Sequence, residues 1–132
     1  MATSTAYGLS AAAIAIVLLG PASPAGAQTA NVKHGGEVFA TECAECHSVR
    51  EGKDKKGPSL FGVVGAAAAQ RAGFAYSEAL RGSGAHWTRE VLDAYVANPQ
   101  KAMPGGKMKY DGLASAPDRA DLLAYLASLG TK

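Results

Sequence analysis

The sequence is poor in cysteine, poor in tryptophan and nearly balanced in charge, and each shortage excludes something. Cys43 and Cys46 are the only cysteines, so no second pair exists to complete the four ligands of a structural zinc site. Against 11 acidic residues stand 13 basic ones, and the resulting +2 is too mild a balance to suggest nucleic acid as a partner. Internal repeats are absent and no stretch alternates convincingly as a strand, so the strand-first βαβ setting of a thioredoxin-like dithiol is missing. The one long apolar run, Leu9 to Gly20, falls short of the roughly 20 residues that span a bilayer. Met1 to Gly8 carries neither Lys nor Arg, and every charged residue lies beyond position 27.

That apolar run is followed by Pro21 and the small residues Ala25-Gly26-Ala27, which is the pattern of a secretory signal cleaved after Ala27. The division is then a signal peptide over 1–27 and a single domain over 28–132, with no stable membrane insertion after cleavage. The uncharged start departs from the usual signal, and the alternative is an uncleaved membrane anchor. A domain of about 105 residues buries only a small core by itself.

Within it stands Cys43-Ala44-Glu45-Cys46-His47, a C-x-x-C-H sequence of the kind that attaches a c-type haem. Two thiols three residues apart on one helical turn lie about 5–6 Å apart, and each can form a thioether to a vinyl group of one porphyrin. His47 then falls beneath the ring, where its imidazole can bind iron. A disulfide would account for the two cysteines but not for His47. One haem c per chain, held through Cys43 and Cys46, would also supply apolar bulk that the small core lacks. Covalent haem attachment after secretion suits a bacterial periplasm.

Around this motif the chain reads as short helices and shaped loops. Val32 to Glu42 suits a first helix, with Gly35 and Gly36 permitting a close crossing. Glu51 to Pro58 is a polar loop. Pro58 has no N–H, and its carbonyl, held beside His47, would orient the imidazole. Ala66 to Ala69 reads as a surface loop or short turn, and Ser77 to Arg81 as a short helix ending at Gly82. Trp87 is a core aromatic whose indole N–H could bond a haem propionate. Thr88 caps a helix carrying Val91, Leu92, Tyr95 and Val96, which Asn98-Pro99 stops. Met103 to Tyr110 is a Pro- and Gly-shaped loop with two thioethers, Met103 and Met108, able to bind iron. Asp118 to Leu129 closes the chain as an apolar-striped helix ending at Gly130.

Cys43-x-x-Cys46-His47, Gly57-Pro58-x-Leu60, Gly73-Phe74-x-Tyr76, Trp87, Tyr95, Asn98-Pro99, Pro104-Gly105-x-Lys107-Met108 and the terminal Leu-Leu-x-Tyr-Leu together make the chain resemble the class I cytochromes c, the family of mitochondrial cytochrome c and its periplasmic relatives. The resemblance implies an all-α cytochrome c fold of four to five short helices around one haem. It implies His47 and Met108 as axial ligands, Pro58 as the partner of His47, Tyr95 near the Met108 sulfur, and Tyr76 and Trp87 as propionate donors. The first and last helices would cross near Gly35, Phe39 and Tyr125, and His34 and His86 would be surface or packing residues. The chain departs from the family at Ala66, Leu80 and Gly106, where relatives carry polar groups that cradle the propionates. Arg71 is a candidate substitute, and Asp54 stands where the family has a loop-bridging His.

The function implied is one-electron transfer between larger redox proteins, with no general acid, base or nucleophile and so no enzyme activity. Lys53, Lys55 and Lys56 follow the motif, and Lys101, Lys107 and Lys109 form a later group. If both ring one haem edge they make a docking face for acidic partners of a monomeric carrier. The alternative function is a haem that binds a small gas or peroxide once Met108 leaves.

Overall fold

The computed structural model describes residues 1, 3 and 29–130. The expected signal peptide therefore lies outside the described residues, apart from Met1 and Thr3. Among the described residues five α-helices follow one another: α1 (Val32–Val38), α2 (Glu78–Gly82), α3 (Arg89–Ala97), α4 (Pro99–Ala102) and α5 (Ala116–Ser128). A π-helical turn, Phe39–Cys43, continues α1 directly. Among the described residues no helix is long and apolar enough to cross a membrane.

Each helix begins at a residue whose side chain can accept from the backbone. Asn31, Ser77, Thr88, Asn98 and Ser115 accept from the N–H of His34, Leu80, Val91, Lys101 and Asp118 respectively. Such a cap is worth about 1 kcal/mol, a large share of what a helix of four or five residues can muster. Asn98 therefore ends α3 and starts α4, which the sequence reading had as a stop alone. Helix α5 opens at Ala116, two residues before the expected start. Pro117 sits inside its first turn, where a missing N–H removes no helical bond.

Helix α1 crosses α5 at Gly35. A Cβ there would stand 1.9 Å from the Asp121 carbonyl oxygen, so only glycine allows the two backbones this close. Phe39 packs on Tyr125 with ring centroids 5.9 Å apart. Leu122, Leu123 and Leu126 of α5 bury against Val38 and Phe39, and Trp87, Leu92 and Ala68 complete the core. Each fully buried Leu contributes roughly 1.5–3 kcal/mol. Val32 and Val91, apolar positions of their helices, are instead exposed.

Of the two expectations for Ala66–Ala69, the turn holds at Ala68 and Ala69, and the tract is not a free surface loop. Gly65 N–H donates to Trp87 O, Trp87 N–H to Ala66 O, and Ala68 N–H to Ala85 O, each at 2.8 Å. This short antiparallel pairing, bridged at Ala67 and His86, buries Ala68 and fixes Trp87 by its backbone. Four alanines carry no strand signature of their own, which is why the pairing is invisible without the partner segment.

Candidate haem site

The motif sits where the helix loosens. The N–H of Ala44 donates to Phe39 O at 2.9 Å, five residues back, and those of Cys46 and His47 then turn onto Cys43 O at 3.1 and 2.9 Å. A π-turn widens the helix by one residue, a device that recurs at functional sites because it re-aims side chains. Cys43 and Cys46 are half-buried free thiols. Burial first, and then Glu42 and Cys46, push the Cys43 thiol up to about 11. This is the opposite of the lowered pKa that a redox dithiol needs.

His47 is buried, and its Nδ1 donates to the Pro58 carbonyl at 2.7 Å. The carbonyl can only accept, so Nδ1 carries the proton. Burial lowers the pKa of His47, outweighing the bond to Pro58, and favours the neutral ring. A neutral ring protonated at Nδ1 has its lone pair on Nε2, the form that binds a metal. Gly57 closes the other side: a Cβ there would come within 2.4 Å of the His47 Cε1 atom. The loop is fastened in turn, with Gly57 N–H on Cys46 O at 2.8 Å, Ser59 N–H on Asp54 Oδ1 at 2.8 Å and Ser59 Oγ on Arg50 O at 2.6 Å.

The other expected site residues come from the second half of the chain. Tyr95 of α3 lies against Trp87, ring centroids 5.0 Å apart, and burial raises its hydroxyl pKa. Tyr76 is buried beside Phe74; burial raises its hydroxyl pKa, and the backbone N–H and charge of Arg71 partly offset that. Met108 is half-buried in the strap that follows α4. Gln100 Nε2 donates to Met108 O at 2.7 Å, and the Tyr110 hydroxyl donates to Glu42 Oε2 at 2.9 Å. The strap rejoins the helices where Leu113 N–H meets Val96 O at 2.9 Å, with Gly112 at φ +111 in a space a Cβ would fill.

The buried Nε of Arg71 makes an ion pair with Asp54 Oδ1 at 3.4 Å, without hydrogen-bond geometry. That pair ties the Tyr76 loop to the loop behind His47. Of the six lysines expected on the docking face, Lys55 donates to Ala44 O at 2.5 Å and Lys56 pairs with Glu45 at 2.7 Å, so two of them brace the motif's own turn. Lys107 makes long contacts to Ala75 O and Tyr76 O at 3.4 and 3.5 Å. Lys53, Lys101 and Lys109 are exposed. His34 bonds Asp121, and His86 is exposed, held by its backbone bridge. The sequence reading missed Gln100, Tyr110, Glu42 and Gly57; only Gly57, inside the Gly-Pro motif, had a signal that could have found it.

Two free thiols and a neutral, oriented imidazole within five residues fit a covalently held haem, and they fit neither zinc nor a reactive dithiol. That donor set on an all-helical frame defines a c-type haem protein. The protein-family model described as cytochrome c matches residues 32–130. Cytochrome c2 of Rhodopila globiformis is 46% identical over 95 residues, covering 72% of this chain and 90% of that protein. Cytochrome c 2.1 of Caenorhabditis briggsae is 45% identical over 92 residues, covering 70% and 82%. The solved structure of cytochrome cH from Methylobacterium extorquens superposes with a TM-score of 0.69 at 37% identity, covering 74% of this chain and 98% of that one. The chain belongs to the cytochrome c family, and its cofactor is haem c, for which Cys43 and Cys46 supply the thioethers. It is an electron carrier.

Proposed function

We propose that the haem iron is ligated by His47 and Met108 and that the protein passes single electrons between larger redox proteins. The observation that carries this reading is the His47 ring, buried, neutral and fixed between Pro58 O and Gly57 with Nε2 left for the metal. When bound, the haem supplies an iron that alternates between ferric and ferrous by one electron. The protein's part is to hold the ligands still. Each side chain fixed in advance reduces the reorganisation that electron transfer must overcome. Met108 as sixth ligand favours the ferrous state, because a neutral, soft thioether does little for the extra ferric charge. With His47 and Met108 both holding the iron, no substrate would have a place on it, and the chain would act as a carrier and not as an enzyme.

Tyr95 serves this reading as a neighbour of the Met108 sulfur, and Tyr76 and Trp87 as donors to the propionates. Partners dock at a face bearing Lys53, Lys55, Lys56, Lys101, Lys107 and Lys109 in a small, transient interface. The carrier works in the periplasm as a monomer, after residues 1–27 are removed. The absorption spectrum of the oxidised holoprotein tests the ligand set. A weak long-wavelength band of a ferric iron–thioether bond, lost in Met108→Ala, supports it. Its absence from the wild type, with haem still attached, favours the gas- or peroxide-binding alternative.

A further inference from the structure

The strap that carries Met108 has little of its own to hold it. Its turn is built from Pro104, Gly105 at φ +84 and Gly106, so neither glycine offers a side chain as an anchor. Its internal bond is Gly106 N–H on Met103 O at 3.0 Å. Besides the long contacts of Lys107 to Ala75 O and Tyr76 O, two shorter side-chain bonds tie the strap to the helices. Gln100 of α4 reaches the carbonyl of Met108 itself at 2.7 Å. Tyr110, two residues beyond Met108, donates to Glu42 at 2.9 Å, and Glu42 is the residue just before Cys43. The second bond joins residues 68 apart in sequence. It fastens the strap to the very turn that bears the first thioether.

We propose that Gln100, Tyr110 and Glu42 are positioning residues that fasten the Met108 strap from both sides, and that they set how readily the sixth position opens to a small ligand. This rests on the reading of Met108 as the ligand. The fasteners stand in for the anchor that the turn lacks. Each opening of the strap must break them, so each divides the population of open strap by the factor its bond contributes. A hydrogen bond to a carboxylate, discounted because Glu42 is exposed, gives a factor of several-fold to about tenfold.

The test uses holoprotein carrying Tyr110→Phe, Gln100→Ala, both together, and Glu42→Gln. Tyr110→Phe removes only the hydroxyl, and Glu42→Gln keeps an acceptor. Three readouts are taken: the long-wavelength ferric band, the rate at which the reduced protein binds carbon monoxide, and hydrogen exchange of the Gly106 and Leu113 backbone amides, which are bonded at the two ends of the strap. Each of the first two variants should bind carbon monoxide several-fold to about tenfold faster, the double variant by roughly the product, and Glu42→Gln by less than Tyr110→Phe. Exchange should rise by the same factors, while the midpoint of global unfolding moves little. A wild type showing the band, with all variants within twofold of it in rate and exchange, overturns the fasteners and leaves Met108 as ligand. A fall in global unfolding midpoint without faster ligand binding also overturns them, since it makes the bonds merely structural. A wild type without the band overturns the ligand reading, and the inference with it.

Discussion

The two sides of the haem site are held by different means. On the His47 side the side-chain bonds are part-buried: His47 to Pro58, Ser59 to Arg50 and Asp54, with Gly57 N–H on Cys46 O beside them. The residues they fix, His47 and Ser59, are among the most enclosed polar groups of the fold. On the Met108 side the strap is largely exposed, rich in glycine, and fastened by side chains from α4 and from the π-turn. A segment with few buried contacts and exposed hydrogen bonds opens at low cost, whereas a buried network opens only with the fold. On the proposed ligation, this arrangement would give the iron one fixed ligand, His47, and one, Met108, carried on a strap that can open.

The sharpest way to break this contrast is on the permanent side. Gly57→Val drives its new side chain into the His47 ring and cannot keep the 2.7 Å bond to Pro58. Overpacking together with an unmade buried hydrogen bond should cost on the order of 3 kcal/mol in urea unfolding of the holoprotein. A loss below about 1 kcal/mol would mean that the ring has room to move, and the contrast between the sides would fail. Met108→Ala, on the releasable side, should cost less stability, keep the haem attached, abolish the ferric band and lower the reduction potential. A Met108→Ala protein as destabilised as Gly57→Val would place the two ligands on an equal footing.

The difference in legibility follows the same line. Cys43, Cys46, His47 and Pro58 were readable because their chemistry is written at fixed local spacing. The starts of α1 and α3 were readable for the same reason, Thr88 capping within three residues of itself, whereas the caps Asn98 of α4 and Ser115 of α5 were not read as starts. What escaped were pairings set by tertiary distance. Gln100 and Tyr110 look like ordinary polar and aromatic residues until the strap folds back on α4 and Glu42. The alanine tract from 66 to 69 became a pairing partner only when the 85–87 segment lay beside it. Arg71, expected near the propionates, reaches Asp54, a residue 17 positions earlier that a local reading could not connect to it.

A smaller effect is expected at the edge between the two sides. Ala66 is half-buried and joined by its backbone to Trp87, and the cation of Arg71 is already engaged by Asp54. A propionate left without a cation stabilises the ferric iron, so Ala66→Arg should raise the potential. An unchanged or lowered value in a redox titration would show that Tyr76 and Trp87 already compensate the charge.

The smallest effect belongs to a contact that touches neither side, and it serves as the control for the others. His34 on α1 donates through Nδ1 to Asp121 of α5 at 2.8 Å, and that bond, ahead of the surrounding carboxylates Asp118 and Glu37, raises the His34 pKa from its ordinary 6.5. The Asn31 N–H, and then His34, hold Asp121 below its ordinary 3.8. For His34 the raised value means a contribution fully present below pH 6.5 and lost as pH rises through the folded pKa. For Asp121 the lowered value means a contribution present above pH 3.8 and lost as pH falls through the folded pKa. The clamp between α1 and α5 is therefore complete only between those limits. Thermal midpoints of wild type and His34→Gln should differ most near pH 5, by a small amount because the pair is exposed, and should converge as pH rises past neutral. Carbon monoxide binding and the ferric band should not respond at all. If His34→Gln did speed ligand binding, strap opening would be coupled to the α1–α5 crossing, and the two sides of the haem would have to be treated as parts of one cooperative unit.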